Sequence, residues 1–151
     1  MSKMMMKVLA LVGFVCLAPG VFAGGPLPDG HFRGTGHWIG PDGSSGEYDV
    51  ETVIAGDVIE STYRYPGVQP GRDKHIVRLT ASSDGSIEVT GENEQFNGRG
   101  FCLEDECFYR LEAGGVMIEE NVRRTDGRLV KFGSKSGDGF RVVWKETLEL
   151  D

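Results

Sequence analysis

Helical periodicity is what this sequence lacks most. Nowhere are apolar residues sustained at i, i+3, i+4 and i+7, which excludes an α-helical domain and any long membrane-binding helix. Basic residues are short as well: 16 Lys and Arg stand against 23 Asp and Glu, a formal charge of −7. A nucleic-acid partner needs a basic face, so none is expected. Histidine is limited to His31, His37 and His75, at a spacing that matches no recurring metal site, and no metal is expected. His31 and His37 share the odd face of their run with Arg33 and Thr35 and read as surface residues. Gly34-Thr35-Gly36 lacks the later glycine of a dinucleotide loop, and Gly133-Ser134-Lys135-Ser136-Gly137 puts lysine where a serine nucleophile would stand. No cofactor site follows from such motifs. What remains, 39% hydrophobic and 26% charged over 151 residues, is the composition of one globular domain.

Residues 1–23 carry the one apolar run of note. Lys3 and Lys7 precede the uncharged stretch Val8 to Leu17, and Val21-Phe22-Ala23 places small residues where a signal peptidase reads. The run is short for a bilayer and is followed by Pro19-Gly20, so stable membrane insertion is not expected. The reading is a signal peptide cleaved after Ala23, with 24–151 as a single exported domain, periplasmic or secreted. Without the leader 14 basic and 23 acidic residues remain, a formal charge of −9, and of three cysteines only Cys102 and Cys107 stay. An even pair in an exported chain reads as one disulfide.

Residues 24–30 read as a loop or mobile terminus. Beyond them the chain alternates with period two in short runs, at roughly 31–39, 46–54, 57–65, 74–81, 86–91, 95–102, 106–112, 115–123, 128–133 and 139–149. Turn residues separate the runs, among them Gly56-Asp57, Asp84-Gly85, Gly114-Gly115 and Asp126-Gly127, and the many glycines are read as this punctuation. Short connections force sequential antiparallel pairing. Eight to ten such strands predict an all-β, antiparallel, up-and-down barrel, because closure removes exposed edges; a two-sheet sandwich is the alternative.

Alternation also assigns faces. Tyr48, Val50, Thr52 and Ile54 share one side; so do Ile59, Ser61, Tyr63 and Tyr65, then Val77 and Leu79, and Ile87 and Val89. Cys107, Tyr109 and Leu111 follow, then Val116, Ile118, Glu120 and Val122, and last Phe140, Val142, Trp144, Glu146 and Leu148. Two carboxyls therefore fall in phase with the core, and no Arg or Lys falls in phase beside either of them. They stay only if paired, protonated or wet. Three readings remain open: both acids reach solvent near strand ends, both line a hydrated lumen, or both form an acid–base pair for hydrolysis.

Cys102-Leu103-Glu104-Asp105-Glu106-Cys107 reads as a hairpin whose cysteines face each other across its base. Six residues close too small a loop for more than about 2 kcal/mol of chain-entropy stabilisation. The bridge would present Glu104, Asp105 and Glu106 on a pinned acidic tip. A second exposed element is the loop from Pro66 to Gly71, with Val68 and Gln69 between its prolines.

The segment Gly36-His37-Trp38 in the first strand resembles the Gly-x-Trp signature of the calycins, which comprise lipocalins, fatty-acid-binding proteins and avidins. Thr35 to Trp38, followed by Asp42-Gly43-Ser44-Ser45 and Gly46-Glu47-Tyr48, is also similar to avidins. The resemblance implies a calycin-like barrel in which Trp38 closes the floor. A basic residue of the last strand would pack over it, with Arg141 and Lys145, flanking Trp144, as candidates.

These readings lead to an exported, non-enzymatic barrel that binds a small, partly apolar molecule. Tyr48, Thr52, Tyr63, Tyr109, Glu120 and Glu146 are the expected lumen contacts. The alternative is a protein-interaction module, such as an inhibitor of a basic exported enzyme (lysozyme or a protease), using Glu104, Asp105, Glu106, Val68 and Gln69 on a basic protein partner. The leader reading makes a direct prediction. N-terminal sequencing of the exported protein should begin at Gly24, and an intact Met1 in the exported form would contradict it.

Overall fold

The computed structural model describes residues 25–67, 73–91 and 95–151. The leader and its cleavage site lie outside these residues, as do Val68 and Gln69. Ten strands follow one another: β1 (Gly30–Ile39), β2 (Ser45–Ala55), β3 (Val58–Arg64), β4 (Asp73–Ala81), β5 (Ser86–Gly91), β6 (Phe96–Leu103), β7 (Glu106–Ala113), β8 (Val116–Thr125), β9 (Arg128–Gly137) and β10 (Phe140–Leu150). Each pairs antiparallel with the next, and β1 pairs with β10, from Phe32 opposite Leu150 to Ile39 opposite Val143. The sheet is a closed up-and-down barrel.

Turn chemistry drives this path. Asp126 (φ 44°) and Gly127 (φ 78°) both take positive φ, as do Gly114 and Gly115, which is what a two-residue turn matched to strand twist requires. Punctuation is only part of the glycine story. Gly36 lies opposite Tyr48, Gly46 opposite Trp38 and Gly133 opposite Trp144. A Cβ on Gly36 would sit 2.2 Å from the Tyr48 ring, and one on Gly133 2.4 Å from Trp144. These glycines let aromatic rings lie flat across the neighbouring strand. The same effect extends β9 beyond the expected end at residue 133: the Gly-Ser-Lys-Ser-Gly tract stays in register with β10, Gly137 making room for Phe140.

The barrel has one filled end. Phe32, Leu129, Leu148 and Val122 are wholly buried there, with Ile54 beside them. The segment before β1 is not a free terminus. It places Leu27 against this core, while Asp29 Oδ1 accepts from the Gly56 amide at 2.7 Å. Burying Leu27 contributes about 1.5–3 kcal/mol. Arg124 of β8 lies over the Phe32 ring, 5.6 Å from its centroid.

The floor is therefore built by Phe32 and Arg124, not by Trp38. Trp38 stands near the other end of β1, half-buried and opposite Trp144, while Arg141 and Lys145 alternate outward into solvent. The reason is the chain's entry point: β1 starts at the filled end, so a residue late in it reaches the opposite one. Replacing Phe32 by Ala should cost about 3–5 kcal/mol in urea unfolding. Phe101→Ala, at an exposed position, should stay within about 0.5 kcal/mol of the parent. Equal costs at the two positions would contradict this placement of the core.

Candidate functional site

Ten strands enclose more interior than aliphatic side chains fill, and the surplus lies toward the end opposite Phe32. A cavity of about 440 Å³ is lined there by Trp38, Tyr48, Tyr63, Tyr65, Trp144 and other side chains of both characters. All four tyrosines of the chain and both of its tryptophans line it.

Its polar centre is Lys131, on β9. The residue is 1% exposed and its side chain points inward in phase with Leu129. Its Nζ lies 2.8 Å from Glu146 Oε2 and 3.6 Å from Glu120 Oε1. It donates to Ser61 Oγ at 3.1 Å and to the Tyr63 hydroxyl at 3.2 Å. The Tyr48 hydroxyl donates to Glu146 Oε1 at 2.9 Å, and the Tyr109 hydroxyl donates to Glu120 Oε2. Thr52 Oγ1 and Ser61 Oγ lie 2.9 Å apart. Glu146 Oε2 is held by the ammonium as an ion pair; among the described residues it accepts no hydrogen bond.

Neither carboxyl reaches solvent as a strand-end residue would: Glu146 is 0% exposed and Glu120 7%. Both are paired, and the expectation that no basic residue falls in phase beside them is corrected: Lys131 does, its long stem carrying the ammonium inward from β9. Burial alone would depress the Lys131 ammonium. Glu146, Tyr63 and Glu120 outweigh that and hold it well above its ordinary value. Burial raises the tyrosines too. Tyr63 is pushed up to about 12. Tyr109 rises well above its ordinary value through burial and the Glu120 charge, and Tyr48 through burial and Glu146. Tyr65 is raised by burial, then by Asp73 and Glu146. The Tyr48 and Tyr109 phenols thus act as hydrogen-bond donors and the Tyr63 phenol as an acceptor from the Lys131 ammonium.

Of the expected lumen residues, Tyr48, Tyr63, Tyr109, Glu120 and Glu146 converge on this cavity. Thr52 is buried behind Ser61 and does not line it. Lys131 is the residue that sequence reasoning missed. The available signal was the phase of Leu129, Lys131 and Gly133 against Val130 and Phe132. His75 also joins the wall, its ring edge-on to Tyr63 at 5.2 Å.

Cys102 and Cys107 form a disulfide, with Cα atoms 4.1 Å apart as directly opposed residues of β6 and β7. Glu104 and Asp105 are exposed at the tip beyond it. Glu106 is half-buried and accepts a hydrogen bond from Asn121 Nδ2 at 2.7 Å. The tip lies at the filled end, away from the cavity. His31 belongs to a surface ion cluster, 2.7 Å from Glu51, with Arg33 and Asp151 beside it. No family model matches this chain, and no curated protein matches it in sequence.

The titration behaviour is testable. Unfolded tyrosine and lysine lose their protons near pH 10. The folded state holds these protons more tightly, so their contribution to stability is complete below about pH 10 and is lost as pH rises through the folded values. Phenolate absorbance should stay low just above pH 10, with at most the half-buried Tyr65 ionising early. It should then rise in one step together with loss of β circular dichroism. Four phenols ionising gradually in an intact barrel would contradict the buried network.

Proposed function

We propose that this chain is an exported, calycin-like barrel that binds a small, partly apolar molecule in its lumen and carries out no chemistry on it. The observation that carries the reading is a cavity of about 440 Å³ inside the barrel, walled by aromatic rings around a fixed polar cluster. That volume is within the range of small-molecule sites, and few oriented polar groups among aromatic walls is their usual composition. The fixed protonation of Lys131 and the tyrosines supports recognition over proton transfer, since a general base must shed and regain its proton near working pH. The disulfide supports an oxidising compartment, periplasmic or extracellular.

A second reading rests on the bridged hairpin. Glu104 and Asp105 project beside the exposed side chains Leu103 and Phe101. An acidic rim around apolar groups suits a basic protein partner, such as an exported enzyme that the chain would inhibit.

Native mass spectrometry of the protein recovered from its natural compartment separates the two. The lumen reading expects a stoichiometric small-molecule adduct, whose release changes the fluorescence of Trp38 and Trp144. Recovery without an adduct, but with a basic protein retained at low salt and lost at high salt, would move the function to the hairpin. Recovery with neither would remove both readings.

A further inference from the structure

We propose that the lumen's occupant presents a cationic hydrogen-bond donor, a protonated amine or amidinium on an apolar or aromatic body, seated against Glu120 with the charge of buried Glu146 behind it. The inference rests on the lumen-binding reading and names its ligand class. It begins with a count of donors and acceptors. Lys131 spends hydrogen bonds on Ser61 Oγ and the Tyr63 hydroxyl, and its remaining close contact is the ion pair with Glu146. Tyr48 and Tyr109 each spend their single proton on a carboxyl oxygen. The acceptors are less well served. Glu146 Oε2 is buried with no hydrogen bond among the described residues, and Glu120 Oε1 stands 3.6 Å from Nζ, beyond hydrogen-bond length. These two oxygens are the acceptors of the cluster that a further donor would serve.

Charge and wall chemistry point the same way. Two carboxylates against one ammonium leave a formal charge of −1 at the cluster. An anionic ligand would meet Lys131 already engaged and three acids of its own sign, Asp73, Glu120 and Glu146, on a wall whose second cation is Lys135. A cation meets the edge of Glu120, with the charge of buried Glu146 behind it, and π faces: the Tyr48 ring lies 5.7 Å from Tyr63 and 5.4 Å from Tyr65, with Trp38 and Trp144 on the same cavity. Aromatic faces attract desolvated cations. A neutral donor, or water alone, would satisfy the oxygen without using either the charge or the rings.

Three probes of nearly one skeleton decide the matter on the intact protein: phenethylamine, phenethyl alcohol and hydrocinnamate. Binding is measured by calorimetry and tryptophan fluorescence at neutral pH. The amine should bind at least about tenfold more tightly than the alcohol, the increment of one charge-assisted hydrogen bond, with hydrocinnamate weakest. In Glu146→Gln and Glu120→Gln, checked for an intact barrel by circular dichroism, the amine-to-alcohol ratio should fall toward one. Because the wild-type ranking decides by itself, a variant that fails to fold leaves the test intact. Equal binding of amine and alcohol, or preference for the carboxylate, overturns the cation inference and leaves lumen binding standing. No binding by any probe, with the tryptophan fluorescence unmoved, leaves water alone in the site and overturns both.

Discussion

One ammonium group inside the barrel makes the rest of the interior tenable. Lys131 reaches in from β9 and meets Glu146 from β10 and Glu120 from β8, its two sheet neighbours. It also reaches across the lumen to Ser61 and Tyr63 of β3. Without the cation, two buried acids would face each other unpaired, a situation that costs several kcal/mol per charge. With it, they anchor Tyr48 and Tyr109 as donors and hold the aromatic wall in place. Removing one partner of such a cluster is far more damaging than the cluster's net contribution to stability, because the groups left behind stay buried. The arrangement therefore fixes interior geometry more than it adds stability.

The fold was legible because turn chemistry and period-two alternation agreed along nearly the whole chain. Tyr48, Ser61, Tyr109, Glu120 and Glu146 are inward as their phase requires. The site was half legible. Its tyrosines and acids stood in phase, but the cation that joins them did not register. In Leu129-Val130-Lys131-Phe132 the apolar neighbours Val130 and Phe132 face outward, with Phe132 57% exposed, while lysine faces in. Hydropathy reads that strand with its faces reversed; only the phase fixed by Leu129 recovers it. The floor misled for another reason. Trp38 was weighted by its size and by the Gly-x-Trp motif, yet which end of a barrel is filled depends on where the chain enters and what precedes the first strand. Here a five-residue segment carrying Leu27 closes the end, and composition alone marks such a segment as loop.

Glycine shows how one residue type serves two purposes. At the turns it supplies backbone angles other residues resist. On the inner face it supplies absence of volume, so that Tyr48, Trp38 and Trp144 lie across β1, β2 and β9 instead of standing into the lumen. Without those gaps, the same rings would take up the space that now forms the cavity.

The seam between β1 and β10 joins residues separated by almost the whole described chain, Phe32 to Leu150. No subset of the strands emerging in order from a ribosome completes the ring. Loop-closure entropy is repaid only when the last strand arrives, so the cylinder forms late and all at once. A chain with this topology stays open while it is being made, and locks only after the residues of β10 are free.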